Sequence, residues 1–218
     1  MVYDGDTLEF SDGDKLRLAG INTPETAREE RPAEPFADAA HAELSRRAGP
    51  GVRLKLRLDQ VRRDRYGRLL AHAFLEDGTN LQVALLERGL ATTLVVPPND
   101  WRHECYAEVE QEARSAGRGI WTLPRYQGTP ADELSADARG FHIVTGTIIR
   151  VGESRNNVWL NLTRAMALRI PRQDLENFRG FDPRTLAGRR VEARGWVQKR
   201  KGELRITVRH PAALRMLD

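Results

Sequence analysis

VRLKLRLDQVRRDRYGRLLAHAFLEDG, residues 52–78, is the stretch from which the fold is read. Val52–Leu58 alternates apolar and basic residues without a break, the period of two expected of a half-buried strand. Arg68–Phe74 reads as a second strand, and Asp77-Gly78 marks a turn after it. Upstream, Lys15–Ile21 alternates in the same way, and Glu34-Pro35-Phe36 opens a helix that runs to about Ala48, where Gly49-Pro50-Gly51 stops it. Downstream, Asn80 caps a short helix, Leu81–Arg88, that ends at Gly89. Arg102–Ala116 reads as a longer helix with Tyr106, Val109, Ala113 and Ala116 along one face, closed by Gly117.

From about Leu123 to Gly140, Pro and Gly recur among polar residues, which predicts a linker with at most one helical turn. Beyond it the pattern changes. Strands are predicted at His142–Val151, Val158–Leu162, Met166–Ile170, Arg189–Lys199 and Leu204–Val208, with a short helix at Gln173–Phe178. Three strands, a helix and two strands is the element order of a small OB-type barrel. The expected domains are therefore residues 1–125, a linker at 126–140, and a second unit at 141–218.

At 218 residues, two compact units are the natural prior. The net charge of +4 hides an asymmetry: residues 141–218 hold 16 Lys and Arg against 7 Asp and Glu, while the first 140 hold 19 against 24. A basic unit joined to an acidic one suits a polyanionic partner for the former, with an Arg-rich solvated surface as the plainer alternative. No apolar run approaches the roughly 18 residues of a membrane span. Cys105 is the only cysteine, so an internal disulfide and a cysteine-based zinc site are both excluded. The five histidines show no metal-ligand spacing. Met1-Val2-Tyr3 leads straight into Asp4-Gly5-Asp6 without a basic and apolar leader, and the first strand looks clipped. The expected address is periplasmic or extracellular if a leader has been removed.

Four segments of the first half carry chemistry. Asp4-Gly5-Asp6-Thr7 sits where a strand turns; it is either an ordinary Asp-Gly hairpin or a pair of carboxylates aimed at one hard cation. Arg17 lies on the following strand, which ends in Asn22-Thr23-Pro24-Glu25-Thr26. Five residues of straight strand would part Arg17 from Asn22 by roughly 16 Å, so they converge only if the strand bends. Glu25, behind a proline, is either a helix-start residue or a base toward water. Asp64-Arg65-Tyr66-Gly67-Arg68 offers Arg68 as a fork of donors for phosphate oxygens. Gly117-Arg118-Gly119-Ile120-Trp121 reads structurally, with Trp121 packing under the barrel.

Taken in order, DGDT, LRLAGINTPET, DRYGR, LQVALLERGLA and GIW make residues 1–126 resemble the staphylococcal nuclease (thermonuclease) family. The resemblance implies an α+β, mainly β fold: an OB-like five-stranded barrel with three helices, followed here by a second, smaller OB-like barrel. It implies calcium as cofactor and DNA or RNA as partner, cut at the 5′ side of the phosphodiester to leave 3′-phosphate ends. Position by position, Asp6 matches a calcium ligand, Asn22 stands where a second carboxylate ligand is expected, and Thr23 matches a ligand through its carbonyl. Glu25 matches the general base, Arg17 and Arg68 the phosphate-binding arginines, and Tyr66 an aromatic beside the bound nucleotide, with Arg65 next to it. Three departures stand out: the amide at Asn22, Thr93-Leu94-Val95-Val96-Pro97, which has no tyrosines where the founding member stacks a base, and a first strand that is nearly missing before Asp4.

In the second unit, alternation puts Val158, Leu160 and Leu162 on one side and Trp159 on the other, a stacking platform amid arginines, unless the register is opposite or Trp159 lies between domains. The expected function is a monomeric, calcium-dependent, sequence-nonspecific endonuclease. The alternatives are a nucleic-acid-binding protein with a decayed catalytic half, and a scaffold whose second barrel binds protein.

Overall fold

The computed structural model describes residues 1–27 and 32–218, in two compact units, Met1–Thr122 and Leu123–Asp218. In the first unit the strands are β1 (Val2–Asp4), β2 (Thr7–Glu9), β3 (Lys15–Leu18), β4 (Ile21–Asn22), β5 (Lys55–Arg63), β6 (Leu69–Phe74) and β7 (Thr92–Thr93). Its helices are α1 (Ala37–Ala48), α2 (Leu81–Glu87) and α3 (His103–Ser115). One sheet runs β1-β2-β3-β6-β5, with β3 and β6 parallel and the other pairs antiparallel; β4 and β7 form a separate two-stranded pair. Leu16 and Leu18 of β3 join Leu44 of α1 and Leu81, Leu85 and Leu86 of α2 in the core, so the apolar side of the strand carries the helices. Asn80 caps α2, its Oδ1 accepting from Val83 N at 2.9 Å.

Two elements differ from the sequence reading. The strand expected over Lys15–Ile21 breaks at Ala19-Gly20 into β3 and β4, because Gly20 adopts φ 84°, and a Cβ there would lie 2.8 Å from the Tyr106 ring. That is the bend that Arg17 and Asn22 need in order to approach each other. The strand expected at Val52–Leu58 begins at Lys55 and continues through the charged run to Arg63. Periodicity ends at Leu58 because the rest is an exposed rim, and its backbone is paired by a side chain instead. Val61 N donates to Asn99 Oδ1 at 2.7 Å, and Asn99 Nδ2 donates to Val61 O at 2.8 Å.

His72 is buried on β6, hydrogen-bonded to the Tyr106 hydroxyl at 2.8 Å and 3.4 Å from Asp59, with the Trp101 ring beside it. Burial pulls its pKa below the ordinary histidine value, and the Asp59 carboxylate only partly offsets this. The native state therefore prefers neutral His72, while the unfolded chain takes up a proton near pH ~6.5. Its contribution to stability is present above that pH and is lost as pH falls through it. Asp6, described below, works in the opposite sense, so the expected signature is a difference: from about pH 7 to 5, wild type loses stability relative to His72→Asn, by at most roughly 1.4 kcal/mol per pH unit. Urea melts of the two proteins across that range check it.

The second unit opens with the single turn α4 (Pro124–Gln127) and holds β8 (Thr129–Pro130), β9 (Gly140–Thr147), β10 (Arg150–Glu153), β11 (Asn157–Asn161), β12 (Met166–Pro171), β13 (Arg190–Arg200), β14 (Glu203–Thr207) and β15 (Leu214–Met216). The sheet order is β10-β11-β12-β14-β13-β9-β8, with β15 beside β13 and with β12 and β14 parallel. Only two residues separate β9 from β10. Ile148 N bonds to Arg189 O and Ile149 N to Asn161 O, so one chain segment serves both ends of the sheet and closes it. The helix expected at Gln173–Phe178 is a 3₁₀ segment, Arg172–Asn177. Residues 126–140, expected as a linker, belong to this unit instead: β8 pairs with β9, and Ala131 and Ala138 are buried in its core. Small apolar side chains spaced among polar residues gave no period to detect. Among the described residues no helix is long and apolar enough to cross a membrane.

Candidate active site

The β2–β3 register sets Thr7 opposite Arg17, and the β3–β6 register sets Leu16 opposite Leu69, so Arg68 arrives beside the same sheet face. Because Leu16 and Leu18 point into the core, Arg17 points away from it. There its Nη2 meets Asp6 Oδ2 at 3.0 Å, while Nη1 donates to Leu18 O at 2.6 Å. Thr23 N and Oγ1 both donate to the same Asp6 oxygen at 3.1 Å. The other oxygen of Asp6 accepts from Thr7 Oγ1 at 3.2 Å, and Arg68 Nη1 reaches Thr7 Oγ1 at 3.4 Å. Asp6, Arg17, Thr23 and Arg68 therefore form one connected network with Thr7 as its bridge.

Asp6 is buried, and desolvation pushes its pKa up to about 6; Arg17 opposes the rise, and neighbouring Asp4 adds to it. Asp4 Oδ1 also accepts from Asp6 N at 3.1 Å, which shapes the turn. Gly5 lies between them at a close approach: a Cβ would stand 2.6 Å from Ala40 Cβ on α1 and 2.7 Å from Thr23 Oγ1. Gly5→Ala is expected to cost about 1–3 kcal/mol by forcing α1 or Thr23 outward. A thermal melt reads the loss, and a variant as stable as wild type would show that the turn has room to spare.

Asn22 is held from behind. Its carbonyl accepts from Thr92 Oγ1 at 3.3 Å, and the neighbouring Thr93 is gripped by the buried Glu110 of α3, N to Oε1 at 2.7 Å. The Asn22 amide nitrogen donates to Thr23 O at 3.3 Å. Of the two ligand oxygens expected here, the Thr23 carbonyl thus faces the nitrogen end of the Asn22 amide, and shared coordination of a cation requires that amide turned over. Among the described residues no three His, Cys, Asp or Glu side chains gather as a metal cage. The candidate donors (the Asp6 carboxylate, the Thr23 carbonyl and, once turned over, the Asn22 amide oxygen) are all oxygens, the ligand type calcium takes. That donor set fits calcium.

Glu25 stands two residues beyond Thr23. Its backbone is clamped to Glu34, Glu25 N to Glu34 Oε2 at 3.1 Å and Glu34 N to Glu25 O at 2.9 Å, while its side chain is exposed. That exposure follows from the chain leaving the sheet after Pro24.

Arg68 is oriented by Asp64, whose Oδ2 accepts from Nε at 2.8 Å and lies 2.8 Å from Nη2. Asp64 Oδ1 also accepts from the backbone N of Tyr66 and of Arg68, so one carboxylate shapes the loop and aims the arginine. Burial disfavours its charge, but the Arg68 hydrogen bond and the two amides hold the pKa below the usual carboxylate range. Tyr66 is exposed, with the Arg65 guanidinium 4.7 Å from its ring centroid and Arg65 Nη2 bonded to its hydroxyl at 2.6 Å. Asp64, Thr7 and Glu34 were not picked out as site residues in the sequence. Asp64, four residues before Arg68, and Thr7, the last residue of DGDT, both lie inside the site motifs, whereas Glu34 reads only as the opening of a helix. Trp159 belongs to the second unit, where its side chain points away from the core and Arg205 covers the ring at 4.9 Å.

Residues 15–123 match the family described as Staphylococcal nuclease homologue. The chain is 34% identical over 123 residues to the Thermonuclease of Staphylococcus intermedius, 55% of this chain and 72% of that protein. It is 34% identical over 130 residues to Endonuclease YncB of Bacillus subtilis, 57% of this chain and 61% of that one. It is 35% identical over 130 residues to the SPbeta prophage-derived endonuclease YokF of Bacillus subtilis, 57% of this chain but only 43% of that one. The chain belongs to the staphylococcal nuclease family. The family match ends at the junction of the two units, and it begins downstream of Asp6.

Proposed function

We propose that this protein is a calcium-dependent nuclease that hydrolyses phosphodiester bonds of DNA and RNA without sequence preference and leaves 3′-phosphate ends. The observation that carries the reading is the linked set Asp6–Arg17–Thr23 and Thr7–Arg68, with Glu25 two residues further along the chain. Asp6, Asn22 and the Thr23 carbonyl would hold calcium, which when bound supplies a positive charge beside a phosphoryl oxygen. Arg17 and Arg68 bind the non-bridging oxygens, and their donors favour the transition state because charge grows there. Glu25 takes the proton of the attacking water, and its exposure leaves that water free to reach it.

The second unit, read as an OB-like barrel, holds the nucleic acid. Trp159 with Arg205 over its ring and the exposed Trp196 support that role, since bases stack on outward aromatics. A second reading, a binding protein with little catalytic power, draws on the Asn22 amide that turns its nitrogen toward Thr23 O. Incubating the purified full chain with plasmid DNA and with RNA, in calcium or in chelator, separates the two. Calcium-stimulated cleavage of both polymers is expected; binding without cleavage at any calcium concentration would leave only the second reading.

A further inference from the structure

A second arginine cluster lies in the first unit, in the half of the chain that is acidic in net charge. Glu43 of α1 is buried, and three guanidiniums converge on it. Arg46 Nη2 stands 2.7 Å, Arg47 Nε 2.5 Å and Arg88 Nε 3.2 Å from the same oxygen. Burial disfavours the Glu43 charge, but the bonds from Arg46 and Arg47, with Arg88 nearby, hold its pKa below the usual range. Arg46 and Arg47, in the last turn of α1, have an ordinary structural use there, as partners of Glu43 three and four residues back and as cations at a helix C-terminus.

Arg88, the C-cap of α2, and Arg118, which donates to the Glu87 carbonyl at that same helix end, also serve a helix C-terminus, but both side chains stay exposed beyond it. They come from other parts of the chain and are forced together by two glycines. A Cβ at Gly89 would stand 2.1 Å from Arg118 O, and one at Gly119 2.2 Å from Gly89 O, while Ile120 N donates to Gly89 O at 2.8 Å. Arg118 Nη1 is fixed on Glu87 O at 3.0 Å. The result is an open cleft of about 900 Å³ whose wall holds Arg46, Arg88 and Arg118, with Phe36, Ala39 and Leu90 as its apolar side. Arg46 and Arg88 are 58% and 57% exposed, so their charge reaches solvent even though Glu43 holds one edge of each fork. Three guanidiniums on the wall against the carboxylates of Glu43 and Glu87 leave one positive charge in surplus on a frame fixed by backbone contacts, and their forks suit phosphate oxygens.

We propose that this cleft is a second phosphate-binding site for the backbone of the nucleic acid being cut, separate from the Asp6 network and used only by polymers long enough to reach both. The proposal rests on the nuclease reading for its ligand. Its test measures binding apart from cleavage, so the two can fail independently.

The full chain carrying Glu25→Gln is titrated with a long fluorescent single-stranded DNA over a range of salt, with and without Arg88→Gln plus Arg118→Gln. Loss of two phosphate contacts is expected to flatten the slope of log affinity against log salt by about 1.4 and to weaken binding several-fold at low salt. Binding of a dinucleotide should not change. Arg53→Gln plus Lys55→Gln, an equal charge loss elsewhere on the unit, serves as control, and circular dichroism reports folding. An unchanged slope in the Arg88/Arg118 variant overturns the site, and so does an equal change in the control, which would reduce the effect to net charge. If the wild-type chain binds DNA through the cleft but never cuts it, the nuclease reading falls and the site remains.

Discussion

Glu25→Gln is expected to lower the cleavage rate by about a hundred- to ten-thousand-fold, the range over which a positioned general base contributes, while leaving the fold as stable as before. The two halves of that expectation have separate origins. Gln keeps the size and polarity of the side chain but cannot accept a proton from water, so only the chemical step loses its acceptor. Stability should stay within about 0.5 kcal/mol because the side chain is exposed and the substitution keeps its size and polarity. Single-turnover cleavage beside a urea melt measures both. Activity undiminished in the variant would move the base elsewhere and remove Glu25 from the mechanism.

The next-largest effect is expected from Arg17→Gln, and it is predicted to depend on pH. Arg17 is the side-chain cation bonded to a buried carboxylate, and it is also a phosphate donor in the proposed chemistry. Removing a preorganised donor costs about a hundred- to a thousandfold in rate. It also strands the Asp6 charge, and breaking a buried pair costs about 3–5 kcal/mol when the remaining group must stay ionised. Asp6 has an escape, because its pKa already stands near 6 and rises further without the guanidinium. A carboxylate whose folded pKa is raised binds its proton more readily in the native state than in the unfolded chain. The variant is therefore relieved in acid and penalised as pH rises. Measured with chelator present, the stability gap between wild type and Arg17→Gln should open from about pH 6 upward. A gap that stays constant, or that widens toward acid, would mean the ion pair contributes little.

How much of this was legible in the sequence varies element by element. The strands whose one face is buried announced themselves: Leu16 and Leu18 on β3, and Val158, Leu160 and Leu162 on and just after β11, obey the period of two and lie where the alternation put them. The charged half of β5 did not, since an exposed rim leaves no apolar trace and its pairing depends on Asn99, more than thirty residues away in the chain. The meeting of Arg17 with the Asn22-Thr23 segment needed a bend that only Gly20 hinted at. For the site, motif order led to Asp6, Arg17, Thr23 and Arg68, and their geometry is a single network. The supporting carboxylate Asp64 lay in plain view within DRYGR but reads like any loop Asp until its two oxygens are placed. The arginine cleft was invisible: Arg88 and Arg118 lie thirty residues apart, and only the contact of two glycine backbones brings them together.

The docking of the Asn99 side chain against β5 affects how the molecule behaves in crowded solution. An uncovered rim of amides and carbonyls invites the rim of a second molecule to dock, and growth by that route ends in aggregates. By offering one donor and one acceptor to Val61, the amide of Asn99 imitates a neighbouring strand a single residue long and caps the ladder at that point. The arginines and the aspartate around Val61 then surround the capped position with charge.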